Sequence, residues 1–67
     1  MGENNLTEEE KEILLLLAQG RTQKYVAEIV NIPYAKCRAI VKSACEKLDA
    51  INLTDCVVKA VKAGYIK

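Results

Sequence analysis

The apolar positions of this chain recur at helical spacing, and nowhere do they alternate as in a strand. Leu6, Ile13, Leu14 and Leu17 share one side when successive residues are turned by 100°, which predicts an amphipathic first helix. Polar residues mark where it starts. Thr7 stands three places before Glu10, so its hydroxyl can accept from the Glu10 backbone N–H while the carboxylate reaches back to close a capping box. Leu6, just outside the cap, reads as a hydrophobic staple. Glu8, Glu9 and Glu10 lie at the positive end of the helix dipole. Gly20 supplies the left-handed residue that ends the helix. Leu15 points away from the apolar stripe and is expected at the surface.

Three more helices follow. Thr22 caps a second one that runs to about Val30, where Asn31 can take the left-handed conformation that stops it. Two to three residues join the first pair, and residues 31–33 lead into the third, predicted over about 34–48 with Pro33 at its first helical position. Asn52, with Asp55 three places on, caps a fourth helix that closes at Gly64. The expected fold is all-α: one four-helix domain over residues 6–67, preceded by a disordered N-terminal tail, residues 1–5. Helix, tight turn, helix is the helix-turn-helix arrangement.

Turning the third helix about its axis separates two chemistries. Cys37, Val41, Ala44 and Leu48 converge into a core stripe with Ile40 and Cys45 on its flanks. The opposite face carries Ala35, Arg38, Ala39 and Lys42 at i, i+3, i+4 and i+7, with Lys36 and Ser43 at one edge and Glu46 at the other. Arg and Lys can donate to guanine O6 and N7 in a DNA major groove, and an alanine methyl can touch a thymine methyl. Small residues between the two cations let the helix backbone approach base edges. The same face also suits an ordinary solvated surface, where Lys and Arg are common.

Composition narrows the choices. A chain of 67 residues, 51% hydrophobic, is too apolar to be disordered and too short for a second domain. At this size a fold buries only about 60% of its unfolded surface, so self-association is a natural source of extra stability. The longest purely apolar run, Ile13 to Ala18, is too short to span a bilayer or serve as a signal-peptide core. Three Cys, an odd number with no C-x-x-C spacing, fit a reduced cytoplasmic protein in which Cys37, Cys45 and Cys56 are small apolar residues. With no His, no nucleophile beside a base and no glycine-rich phosphate loop, neither an enzyme, a cofactor nor a metal site is expected. On the fourth helix the apolar arc spans about 160°, more than one small core requires. Its small-residue edge, Cys56, Ala60 and Ala63, is expected to form a homodimer interface.

A net charge of +1 first argues against a nucleic-acid partner. Divided at Gly20, the total is a sum of opposites. Residues 1–20 hold five Glu and one Lys, whereas residues 21–67 hold nine Lys or Arg against four Asp or Glu. The acids crowd the first helix start and the bases occupy the rest.

The register of these features resembles a known family. Leu6-Thr7-Glu8-Glu9-Glu10, Ile13-Leu14 and Leu17-Ala18-Gln19-Gly20 are similar to the opening L-T-x-x-E-x-x-x-L-x-x-x-A-x-G of the LuxR/GerE-type helix-turn-helix domain. Thr22 to Ala27 resembles its S-N-K-E-I-A, Asn31-Ile32 its G-I, Lys47-Leu48 its K-L, and Ala60 to Ile66 its A-x-x-x-G-x-I, without a gap from Leu6 to Ile66. The resemblance implies a double-stranded DNA-binding regulator whose third helix enters the major groove and whose fourth forms a dimer. It places base reading on Arg38, Ala39 and Lys42, which with Ala35 form the face found by rotation. It implies backbone contacts at Thr22, Gln23, Lys24 and near Lys36. Ser43 and Lys47 complete the set of backbone candidates.

Several residues depart from the family pattern. Pro33 replaces a usual Ser cap, Ile40 a frequent His, and Lys36-Cys37 a T-V pair, so base preference does not carry over. Leu15, Tyr25 and Ile29 are apolar where the family is usually polar, and they form a candidate surface for a protein partner. Ala44 ahead of Lys47-Leu48 is also similar to region 4 of sigma factors, which would make RNA polymerase a partner, although the Gly64-Tyr65-Ile66 ending fits the LuxR/GerE type better. A third reading is a protein-interaction module, such as an anti-activator, that kept the fold and lost DNA binding.

Overall fold

The computed structural model describes residues 6–66, and the expected tail over residues 1–5 lies outside them. Four helices follow in order: α1 (Glu8–Ala18), α2 (Gln23–Ile29), α3 (Tyr34–Lys47) and α4 (Leu53–Lys62). No strand occurs among the described residues. The fold class is therefore the all-α one expected.

Local chemistry sets the helix ends. At α1 the Glu10 N–H donates to Thr7 Oγ1 at 3.1 Å and the Thr7 N–H donates to Glu10 Oε1 at 2.8 Å, which completes the capping box. Thr22 Oγ1 accepts from the Tyr25 N–H at 3.1 Å to cap α2. Asn52 Oδ1 accepts from the Asp55 N–H at 2.8 Å to cap α4, and Asp55 Oδ2 in turn accepts from the Ile51 N–H at 3.1 Å. Gly20 and Asn31 have φ of 93° and 61°, the left-handed region in which the chain leaves α1 and α2. Asp49 does the same after α3 with φ 56°, tolerated because a short acid can bond locally in that conformation.

Two local expectations change. Pro33 is the cap residue of α3 rather than its first helical residue, with extended backbone (φ −61°, ψ 146°). A proline carries no side-chain acceptor, so α3 starts without a side-chain cap. Leu6 is no staple, since the position it would pair with is Lys11. It is instead buried among Leu14, Ala44, Cys56, Ala60 and Ile66.

Helix α1 packs between two clusters. Leu14 belongs to the cluster just named, with residues of α3 and α4. Ile13 belongs to a second, with Val26 and Ala27 of α2 and Cys37 and Val41 of α3. The inward stripe of α3, Cys37, Val41 and Ala44, thus touches both, while Ile40, Cys45 and Leu48 are half-buried beside it.

Helix α4 overturns the expected dimer edge. Cys56 and Ala60 are fully buried inside one copy of the chain, where their small side chains meet Ala44 and Leu14. They cannot also face a second copy. Only Ala63, the C-terminal cap, is exposed. The apolar arc is wide because it serves two sides. Its outer side presents Val58 and Val61, each nearly half exposed.

Candidate nucleic-acid interface

The outward face of α3 stands as rotation predicts. Ala35, Lys36, Arg38, Ala39 and Lys42 are all exposed, opposite the buried Cys37, Val41 and Ala44. Nothing acidic precedes Glu46 on this helix. Among the described residues no carboxylate lies within ion-pairing distance of Arg38 or Lys42. Both cations are available to an external anion or base edge, and Ala35 and Ala39 keep the surface between them low.

The start of α2 is held against the start of α3. The Cys37 thiol donates to the Gln23 carbonyl oxygen at 3.6 Å, across a partly buried contact. Burial pushes the Cys37 thiol above its ordinary pKa, so it stays protonated and able to donate. Its bond ties the first turn of α3 to the Thr22-Gln23-Lys24 segment. No sequence signal marks this bond, since a cysteine in a core stripe looks like an inert apolar residue. Thr22 accepts the cap bond and keeps its own hydroxyl proton free to donate, as a phosphate contact requires. Lys24 is exposed and Gln23 half-buried. Arg21 stands over the Tyr25 ring, 5.5 Å from its centre.

One backbone candidate, Lys47, is engaged within the chain. Lys47 Nζ donates to Glu10 Oε1 at 2.9 Å, a link between the end of α3 and the capping box of α1. Ser43 is half-buried on α3. Glu10 is 5% exposed and the Lys47 side chain 27%, so this pair is a partly buried structural tie. Burial pushes the Glu10 carboxyl up, but Lys47, the Thr7 N–H and Ser43 outweigh it and hold the pKa below the usual carboxylate value.

The partner-surface candidates are exposed but do not line one cavity. Leu15 lines an open groove of about 450 Å³ with Glu8, Lys11, Glu12, Tyr65 and Ile66. Tyr25 and Ile29 lie on α2, where Tyr25 sits under Arg21. A second open groove, about 250 Å³, runs along the end of α1 and the outer side of α4, lined by Leu17, Ala18, Arg21, Leu53, Thr54, Val57 and Val58. Cys56 is pushed up to about 12 by burial and by the neighbouring Cys45 thiol, which leaves it unreactive at neutral pH. No described helix is long and apolar enough to cross a membrane.

A helix-turn-helix pair whose second helix has an exposed basic face without carboxylate partners among the described residues, supported by one helix before and one after, defines a DNA-binding domain of the transcription-regulator class. The GerE family model, described as bacterial regulatory proteins of the luxR family, matches residues 4–60. The chain belongs to this family. It is 31% identical over 64 residues to the transcriptional regulatory protein DesR of Bacillus subtilis (strain 168). That match covers 96% of this chain and 32% of DesR, so the chain spans about a third of its relative's length.

Proposed function

We propose that this domain binds double-stranded DNA sequence-specifically, with α3 in the major groove, and that it does so as a dimer. The observation that carries the reading is the exposed Ala35, Arg38, Ala39 and Lys42 face, which has two cations with no carboxylate partner among the described residues and small residues between them. Arg38 and Lys42 donate to base edges. Thr22, Lys24 and Lys36 contact phosphates and fix the register. Lys47 takes no part, because Glu10 engages it.

The dimer contact is assigned to the outer side of α4, with a second copy as its occupant. Val58 and Val61 are exposed there beside the apolar groove that Leu17, Leu53 and Val57 line. A domain of 67 residues gains stability from covering that face. Two copies related by a two-fold axis present two α3 faces to half-sites about one helical turn apart.

Selection from a random duplex pool is the test. An enriched motif in two inverted copies, with two chains per duplex by sedimentation, is the expected outcome. Enrichment of a single half-site bound by one chain would remove the dimer, and no enrichment would remove the DNA reading.

A further inference from the structure

We propose that Tyr34, the first residue of α3, is a positioning residue for Arg38 and thereby sets how selectively that side chain reads a base. This rests on the reading of Arg38 as a base contact. Tyr34 is 49% exposed, although nothing in the core requires a large aromatic ring there. The Arg38 guanidinium lies over its ring, 6.0 Å from the centre. The two are four residues apart on one helix face, the spacing at which side chains meet.

The chemistry of the neighbours explains the choice of partner. Around Arg38 at three and four residues stand Tyr34, Ala35, Val41 and Lys42. Lys42 repels the guanidinium, Ala35 is too short to hold it, and Val41 is buried. Tyr34 alone attracts it. An aromatic ring engages the flat face of a guanidinium, whereas a carboxylate would occupy its in-plane N–H fork. With Tyr34 as partner the fork stays free for the O6 and N7 of a guanine, while the side chain has fewer conformations to lose on binding. The turn that carries the ring is itself anchored. Pro33 fixes the backbone just before it, and the bond from the Cys37 thiol to Gln23 holds the same turn against α2.

The test is a double-mutant cycle on the selected duplex, with binding to every single-base variant of the site measured alongside. Tyr34→Ala is expected to weaken binding about three- to tenfold and to relax selectivity at one base position, the one that Arg38→Ala also relaxes. Tyr34→Phe keeps the ring and should stay within about twofold of the parent. In the Arg38→Ala background, removing Tyr34 should cost less than about twofold. Melting curves of the two Tyr34 variants establish that the fold is intact. An equal loss with and without Arg38, or unchanged base selectivity in Tyr34→Ala, would overturn the proposal. Absence of duplex binding by the unmutated protein would instead overturn the DNA reading beneath it.

Discussion

Replacing Arg38 by Ala and Lys42 by Ala is expected to weaken binding to the preferred duplex by about 1–3 kcal/mol for each base-reading side chain removed. The double variant should bind at least tenfold more weakly. Titration of a labelled duplex at fixed salt measures the effect. Its size follows from the electrostatic setting. Neither cation has a carboxylate partner among the described residues, so neither leaves an internal bond to reach DNA. The effect should be selective as well. Arg38→Ala should flatten the preference at one base position, because the planar fork that distinguishes guanine is gone. Lys36→Ala is the contrast. It should weaken all duplexes alike and lower the slope of log affinity against log salt by about one, the signature of a single phosphate neutralised by that side chain. If both variants acted alike on every sequence, α3 would be a charged strip without a reading role.

The second large effect concerns the fold beneath that face. Glu10→Ala is expected to cost about 2–4 kcal/mol in chemical unfolding, a large share of the stability of so small a domain. One carboxylate makes two ties. It accepts from the Thr7 N–H in the capping box and pairs with Lys47 across 37 residues. Removing it leaves the Lys47 ammonium, only 27% exposed, without its partner. Glu12→Ala, on the same helix but at the surface, should change stability by no more than about 0.5 kcal/mol.

Acid gives an independent check. The folded pKa of Glu10 is depressed, so its contribution is fully present above the ordinary carboxylate range and is lost as pH falls through the lowered folded value. The stability gap between the parent and Glu10→Gln should therefore shrink on acidification below about pH 4. A gap that stayed constant into strong acid would show that the ionised carboxylate is not what stabilises α3 against α1.

What the sequence made legible was local. Thr7 with Glu10, Thr22, and Asn52 with Asp55 each mark a helix start because capping bonds span three residues. Gly20 and Asn31 mark ends because few residues enter the left-handed region without strain. The two faces of α3 were legible because 100° per residue is a property of the helix alone. What stayed hidden depends on which helices meet. Cys56 and Ala60 looked like a surface for a second helix. Small residues do admit a close neighbour, but here the neighbours are Leu14 and Ala44 of the same chain. Lys47 looked like a phosphate contact because Glu10, its partner, is distant in sequence. The thiol bond from Cys37 to Gln23 was likewise invisible, since core packing and a specific sulfur donor share one residue type at one position.

These corrections sharpen the candidate interface. They tie Lys47 to Glu10 and leave Arg38 and Lys42 as the exposed cations of the α3 face. They also leave the charge asymmetry meaningful. Among the acids of α1, Glu10 is spent on the cap and on Lys47 and Glu8 on Lys11, while cations without carboxylate partners among the described residues gather on α3 and at the start of α2. A net charge of +1 therefore describes a domain whose exposed α3 face is basic, not one with its charges evenly mixed.

The most direct test of the central claim is to titrate the isotope-labelled domain with its selected duplex and follow each backbone amide by NMR. The largest changes are expected in the first half of α3, from Ala35 to Lys42, and at Thr22 to Lys24. The first turn of α1, with Glu8 and Glu9, should remain unmoved. Changes concentrated instead on Leu15 and Glu12, with the α3 face unaffected, would contradict a DNA-reading role for this helix.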